Sequence, residues 1–289
     1  MLWVVFALIG VVFQAAFTES NRHFRADSYT LNVWHGMASV ILMIPALFFI
    51  DWPSGVAFYL TAFFAGAVSA IACVVQFHLA SKHNGRVASM FLPVEAFAMF
   101  FLWIALKPTL IGDYMASPVA TATIGASMIL ASVSLFFLRR NDVGWSTFWS
   151  IAPIGLLYAV AGVLCKNIID PDNFISSLLA YTFVFYVSLT VQMAAVVALR
   201  RRHTVREIFT PQMARAGFII AVFSVMSCIG LFGGFALAEN PGYTAIALML
   251  VPVVLMAWHR ATGTQDDASP IAGMGLVIAG ALLVWATQA

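Results

Sequence analysis

Glu95 is the residue whose type and position point most directly to chemistry. It lies midway along an apolar run at roughly 87–106 and is the only acid at that depth in any such run. If the run crosses a membrane, an ionised side chain at its centre costs from about 2.5 to more than about 10 kcal/mol unless it faces a cavity or a partner. We therefore predict a proton-coupling or substrate-amine site at Glu95. The alternative is a permanently protonated carboxyl that hydrogen-bonds to a neighbouring helix.

Four further polar side chains lie within apolar runs and are candidates for the wall of a permeation path. Gln14 and Tyr158 fall at near-equivalent depth in the first and sixth runs, His35 lies inside the second, and Gln192 lies in the seventh. Hydrogen bonding between helices is the alternative role for Gln14, Tyr158 and Gln192. His35 lies near the cytoplasmic end of its run, where it could line an entry vestibule, and its alternative role is that of a snorkelling or interfacial residue. Together with Glu95, they are our candidate substrate-binding or coupling residues.

The residue patterns that other chemistries need are missing from the sequence. Cys73, Cys165 and Cys228 lie in separate apolar runs, without the close spacing of a metal site or a redox pair. His35 and His78 also lack metal-ligand spacing. There is no phosphate-cradling loop for ATP. We expect no catalytic residue, no metal and no cofactor.

Composition shows what kind of element must position these residues. The chain has 289 residues, of which 62% are hydrophobic and 9% are charged, whereas about a quarter of a soluble domain is charged. The 14 Lys and Arg against 12 Asp and Glu leave a nearly neutral chain without a basic stripe, so no nucleic-acid partner is expected. The sequence predicts a multi-pass protein of the cell membrane, the inner membrane of a bacterium.

Ten apolar runs are long enough to cross a bilayer core of about 30 Å as helices. Reading between charged residues places them at roughly 2–18, 29–50, 56–77, 87–106, 114–138, 146–165, 173–199, 216–238, 240–258 and 268–288. In lipid each segment must satisfy its own backbone hydrogen bonds, which favours helices. The predicted fold class is all-α integral membrane with ten transmembrane helices, and any function must lie inside the bundle or at its two mouths.

The two halves of the sequence repeat in order. Residues 88–94, ASMFLPV, align with residues 247–253, ALMLVPV. Two further pairs keep the same order, namely 125–131 with 273–279 and 7–10 with 152–155. A repeat of five spans enters the membrane in the opposite orientation the second time, which is the arrangement of many transporters. We predict two inverted five-helix repeats, over 1–140 and 141–289.

Basic residues predict the orientation of the chain. Twelve of the 14 lie in the odd-numbered loops: Arg22, Arg25, Lys82, Arg86, Arg139, Arg140, Arg200, Arg201, Arg202, Arg206, Arg215 and Arg260. Lys107 and Lys166 alone lie by the even-numbered loops. The positive-inside rule then puts the odd loops in the cytoplasm and both termini outside it.

Several of these segments resemble a known transporter group. The run HLASKHNGRVASMFLPV at 78–94 resembles the third-to-fourth-span junction of the drug/metabolite transporter superfamily, and LAENPGYTAIALMLVPV at 237–253 resembles its counterpart in the second half. Spans that end in Ile129-Leu-Ala and Val277-Ile-Ala-Gly are similar to the fifth and tenth spans of EamA-like ten-helix permeases. The resemblance implies two EamA-like repeats around a central cavity that spans one and six help to line.

The sequence departs from that group in two places. Many such permeases carry a Glu just before the fourth-span proline, whereas here Leu92 precedes Pro93 and Glu95 follows two residues later. Their loop between spans two and three is commonly basic, but Asp51-Trp-Pro-Ser has no Lys or Arg and the basic excess lies at 200–206. The second departure suggests an orientation opposite to the usual one.

The resemblance and the repeats together predict a secondary transporter, a permease or exporter that works by alternating access. Expected partners are the lipid bilayer and a small-molecule substrate, which the resemblance implies to be a small metabolite, an amino acid or an amphipathic compound. Protons are the candidate coupling ion, and the protein is expected as a monomer or homodimer. A flippase for a lipid-linked group is the alternative, and an integral membrane lipid-modifying enzyme is less favoured because clustered acids and a nucleophile with its base are missing.

The predicted topology can be tested with reporters. Green fluorescent protein fused after Ala289 is expected to stay dark and alkaline phosphatase fused there to be active, because the C-terminus is predicted to lie outside the cytoplasm. Matched fusions in the loop at 200–206 are expected to give the reverse pair of signals. A fluorescent C-terminal fusion would contradict the predicted orientation.

Overall fold

The computed structural model describes residues 1–24, 26–82, 89–138, 145–200, 209–264 and 268–288, and every regular element in these ranges is a helix. The helices are α1 (Leu2–Phe24), α2 (Ser28–Met43) with a 3-10 extension (Ile44–Phe49), α3 (Val56–Lys82), α4 (Leu92–Leu106), α5 (Leu110–Ala116), α6 (Pro118–Phe137), α7 (Trp145–Ile168), α8 (Phe174–Arg200), α9 (Pro211–Leu237), α10 (Pro241–Leu248), α11 (Val251–Ala261) and α12 (Pro270–Ala286). Seven of the basic residues that predict the orientation lie outside the described residues: Arg25, Arg86, Arg139, Arg140, Arg201, Arg202 and Arg206.

Within the described ranges, eight helical segments are long and apolar enough to cross a membrane. They are α1, α2 with its extension, α3, α6, the part of α7 at Ile151–Ile168, α8 as far as Leu199, α9, and α10 with α11. The chain is therefore an all-helical, multi-pass membrane protein. The predicted fourth and tenth spans are shorter as helices: α4 has 15 residues and is bent by 109° from α5, and α12 has 17, whereas a full crossing takes about 20.

The two runs that carry the aligned prolines are both interrupted just before the proline. A turn at 89–91 precedes α4, and a turn at 249–250 separates α10 from α11. Pro93 and Pro252 each lie in the first turn of the helix that follows, where a missing N–H removes no helical hydrogen bond. The sequence predicts mid-span prolines and Glu95 halfway along a helix. Instead, Glu95 lies in the first turn of α4.

Helices from both halves of the sequence interleave in the bundle. α1 packs against α9, α3 against α7 and α8, α2 against α8 and α9, α4 against α7 and α10, α6 against α12, and α1 against α10 and α11. One close approach has glycine on both sides, since a Cβ on Gly230 of α9 would lie 2.7 Å from Cα of Gly10 on α1. Small residues allow such approaches in lipid, where no hydrophobic drive pushes helices together.

Adding one methyl group at the α1–α9 contact tests this packing. Gly230→Ala is expected to lower the free energy of unfolding in detergent by about 1–3 kcal/mol, because the new Cβ overlaps the backbone of Gly10. Gly125→Ala is the matched control, because a Cβ there meets nothing within 4 Å and alanine is the better helix former. Thermal unfolding of the purified variants measures both, and equal stabilities would contradict the close contact.

Candidate functional site

A largely enclosed cavity of about 70 Å³ lies between helices of the two halves. Its polar wall residues are Gln14, Ser69, His35, Glu95, Tyr158, Tyr186 and Ser224, and its other aromatic residues are Phe17, Phe91, Phe185, Phe232 and Phe235. A water molecule needs about 10–15 Å³ on this measure, so the cavity has room for a few waters and for nothing as large as a metabolite. The structure thus has the cavity in a closed form.

The fold brings four of the five predicted site residues to this one cavity, namely Glu95, Gln14, His35 and Tyr158. Gln192 is half-buried on α8 and does not line it. Tyr186 supplies the polar group of α8 instead. Six residues separate the two side chains, which turns Gln192 through about 240° relative to Tyr186 and moves it about 9 Å along the helix.

Glu95 is buried, and its side chain faces the cavity. It is 4% exposed, and its backbone N–H donates to the carbonyl oxygen of Phe91 at 3.0 Å. No hydrogen bond or ion pair joins its carboxyl to any residue that the structure describes. A buried polar group without a protein partner is uncommon, so this carboxyl has its bonding capacity available to whatever occupies the cavity.

Gly155 of α7 packs directly against the backbone of the turn that leads into Glu95. A Cβ at Gly155 would lie 2.7 Å from the carbonyl oxygen of Phe91 and 2.9 Å from the backbone nitrogen of Glu95. Glycine is therefore needed for α7 to approach the start of α4 this closely. Tyr158 follows one turn later on the same face of α7, which explains why its ring lies 5.1 Å from that of Phe91.

A hydrogen-bonded chain occupies the His35 side of the cavity. Nδ1 of His35 lies 3.1 Å from Oδ1 of Asn32, and its Nε2 lies 2.7 Å from Oγ of Ser224. The same Ser224 oxygen lies 2.6 Å from the hydroxyl of Tyr186. Both ring nitrogens of His35 are thus engaged within the protein, and the chain ties α2 to α8 and α9.

A second chain joins Tyr158 to Gln14 on the opposite wall. The Tyr158 hydroxyl donates to Oε1 of Gln76 at 2.9 Å, and Nε2 of Gln76 donates to Oγ1 of Thr18 at 3.2 Å. Thr18 in turn donates to the carbonyl oxygen of Gln14 at 2.7 Å. Oε1 of Gln14 accepts from the Ser227 hydroxyl at 2.8 Å. The two residues that the sequence pairs by depth are therefore linked across α7, α3, α1 and α9.

An ionic cluster lies on α1 beyond the cavity residue Gln14. Glu19 lies five residues beyond Gln14 on α1, and its Oε1 is 2.7 Å from Nη1 of Arg22. The same oxygen is 3.1 Å from Nε2 of the buried His259 on α11. The cluster fastens the end of α1 to the last helix of the interrupted run.

A second set of contacts surrounds Lys166, which lies one turn beyond the cavity residue Gly162 at the end of α7. Nζ of Lys166 donates to the carbonyl oxygen of Ala236 at 2.7 Å and lies 5.8 Å from the ring centroid of Trp103. The indole nitrogen of Trp103 donates to the carbonyl oxygen of Glu239 at 3.0 Å. These contacts fasten α7 to α4 and to the end of α9.

Comparison with known proteins identifies the fold and no function. No protein-family model matches the chain, and no curated protein matches it significantly. A crystal structure whose description names no function is similar over 99% of this chain and 96% of its own, with a TM-score of 0.64 and 12% sequence identity. The architecture described above is therefore also found in a solved structure.

Cysteine labelling tests whether the cavity opens to water. Cys73 lines the cavity, whereas Cys165 is fully buried with its thiol directed at the carbonyl oxygen of Phe232. In variants that keep one of these cysteines and have alanine at the other two cysteine positions, a small cationic methanethiosulfonate is expected to react at Cys73 at least about tenfold faster than at Cys165. Mass spectrometry gives both rates, and equal rates would argue against an accessible cavity.

Proposed function

We propose that this protein is a secondary transporter that carries a small solute across the membrane by alternating access, as the resemblance to the drug/metabolite transporter superfamily implies. The observation that carries the proposal is the buried carboxyl of Glu95, which has no partner among the described residues and faces a closed cavity between the two halves. Intramembrane acids that face a cavity commonly mark substrate or proton pathways.

The pairing of helices supports the inverted repeat of 1–140 and 141–289. If each span is exchanged with the span five places along, α1–α9 becomes α7–α3, α2–α9 becomes α8–α3, and α4–α7 becomes α10–α1. Under the same exchange, three further pairs map onto themselves: α2–α8, α6–α12 and α4–α10. The interruptions before Pro93 and Pro252 correspond in the same way. This exchange is what a pseudo-two-fold axis requires, and it favours ten spans in which α4, α10 with α11, and α12 are the fourth, ninth and tenth.

In this proposal the contacts around Glu19 and those around Lys166 close the two ends of the cavity, and the same exchange relates them. Glu19 on the first span contacts His259 on the ninth, and Lys166 on the sixth contacts Trp103 on the fourth. Separating one pair opens one end of the cavity while the other stays shut. Two closures of unlike chemistry at corresponding places support alternating access, with the cavity occluded in between.

Glu95 supplies the coupling in this proposal. A single carboxylate can hold a proton or the positive charge of a substrate, but not both at once. Competition for Glu95 therefore exchanges one for the other as the cavity opens to each side. Because no other acid among the described residues lines the cavity, replacing Glu95 removes the exchange.

A flippase for a lipid-linked group is the second candidate, and one observation favours it. An apolar groove of about 420 Å³ runs beside α4, lined by Pro93, Val94, Phe97, Phe101 and Leu156 among others. The groove is next to the turn that carries Glu95, and an acyl chain could follow it. Among the described residues, no group of three or more side chains could hold a metal ion. The described residues therefore supply no observation in favour of the lipid-modifying enzyme.

Transport by vesicles tests the proposal. Membrane vesicles with the wild-type protein are expected to move radiolabelled amines or amino acids in a way that depends on a pH gradient. Glu95→Gln is expected to reduce the gradient-dependent part to the level of empty vesicles, because the amide cannot exchange a proton.

Asp172→Asn is the matched control, since Asp172 is exposed in a loop away from the cavity. Undiminished proton coupling in Glu95→Gln contradicts the role of Glu95. Formation of a product from a lipid without net transport favours the enzyme, and movement of a labelled lipid alone favours the flippase.

A further inference from the structure

We infer that the cavity takes an amphipathic monocation, with its positive charge at Glu95 and an apolar or aromatic body against the ring-lined wall, and that it rejects anions and zwitterions such as free amino acids. This inference rests on the proposed transport function and narrows the substrates that the sequence leaves open. It follows from the charges, hydrogen bonds and rings of the described residues that form the wall.

The charge of the wall has one sign. Among the described lining residues, Glu95 is the sole acid, and none is a Lys or an Arg. The nearby basic side chains do not line the cavity and have other partners: Arg22 pairs with Glu19, and Lys166 donates to the carbonyl oxygen of Ala236. A ligand carboxylate or phosphate would therefore meet a carboxyl and no positive charge, which disfavours it in a water-poor site.

The neutral polar groups of the wall do not change this balance. The ring nitrogens of His35 are engaged by Asn32 and Ser224, and the hydroxyl of Tyr158 donates to Gln76. A zwitterion would place its ammonium at Glu95 and leave its carboxylate without a charged partner. Burying a charge without a partner in an apolar site is strongly disfavoured, much more than burying a neutral polar group.

Several aromatic side chains line the same cavity as Glu95. Phe91 lies one helical turn before Glu95, and its ring lies 5.1 Å from the ring of Tyr158 on α7. Phe185 and Phe232 pack edge to face at 5.1 Å on another part of the wall. Ring faces attract cations, more strongly when water is excluded, and they also accept an apolar body.

Binding to four matched ligands tests the inference. The ligands share a phenylpropyl-like body and differ in charge: 3-phenylpropyl-trimethylammonium, its neutral tert-butyl isostere, 3-phenylpropionate and phenylalanine. Isothermal titration calorimetry on the purified protein in detergent is expected to give binding of the cation at least about tenfold tighter than of the neutral isostere, by analogy with other desolvated charge contacts. No binding is expected for the anion or the zwitterion.

Variants assign the charge and ring contributions separately. Glu95→Gln is expected to remove the difference in affinity between the cation and its neutral isostere. Phe91→Leu is expected to weaken binding of the cation by about 2- to 30-fold and binding of the isostere by less. Glu95→Asp keeps the charge and is expected to retain part of the preference. Asp172→Asn serves as the unaffected control, and melting temperatures show whether each variant is folded.

Each outcome decides between the inference and the transport function on which it rests. Phenylalanine or phenylpropionate binding as tightly as the cation overturns the inference, as does an unchanged preference in folded Glu95→Gln. Gradient-dependent uptake of an amino acid in vesicles, without cation binding, overturns the inference and leaves the proposed transporter standing. Cation binding with no transport of the same cation keeps the substrate class and contradicts the transporter.

Discussion

A carboxyl placed inside an apolar bundle is the constraint on which this structure depends. Glu95 is 4% exposed and faces a cavity whose described wall residues include no Lys or Arg. A group in such a place needs either a proton or a cation, because an unpaired charge is strongly disfavoured there. The cavity that Glu95 faces and the aromatic rings that line it are suited to a proton or a cation at this position.

The bundle tolerates this arrangement because its helices are held by close backbone packing and by polar chains that cross between them. Gly10 meets Gly230 on one seam, and Gly155 meets the turn before α4 on another. Hydrogen bonds through Ser224 and Gln76 tie four helices together around the cavity. Lipid offers no hydrophobic drive for helix association, so these contacts carry much of the specificity.

The turns at 89–91 and 249–250 are places where the backbone can change its angle within a packed bundle. In the described residues a helix begins directly after each turn, and at 249–250 the turn also ends the helix before it. A change of backbone angle there breaks few helical hydrogen bonds, which is why discontinuous helices are common at transport sites. Both interruptions also border the cavity, through Phe91 and Leu92 on one side and Leu248 on the other.

Composition and hydropathy by themselves determined that this is an all-helical membrane protein, and an acid within an apolar run was enough to single out Glu95. They could not determine how each helix is rotated about its axis, because these runs are apolar on every side and carry no periodic stripe. The sequence therefore did not show that Tyr186 rather than Gln192 faces the cavity. Nor did it single out Ser224, which lines the same cavity and is of a residue type common in such helices. Only tertiary contact decided where the fourth run becomes helical, because the approach of Gly155 fixes the turn before Glu95.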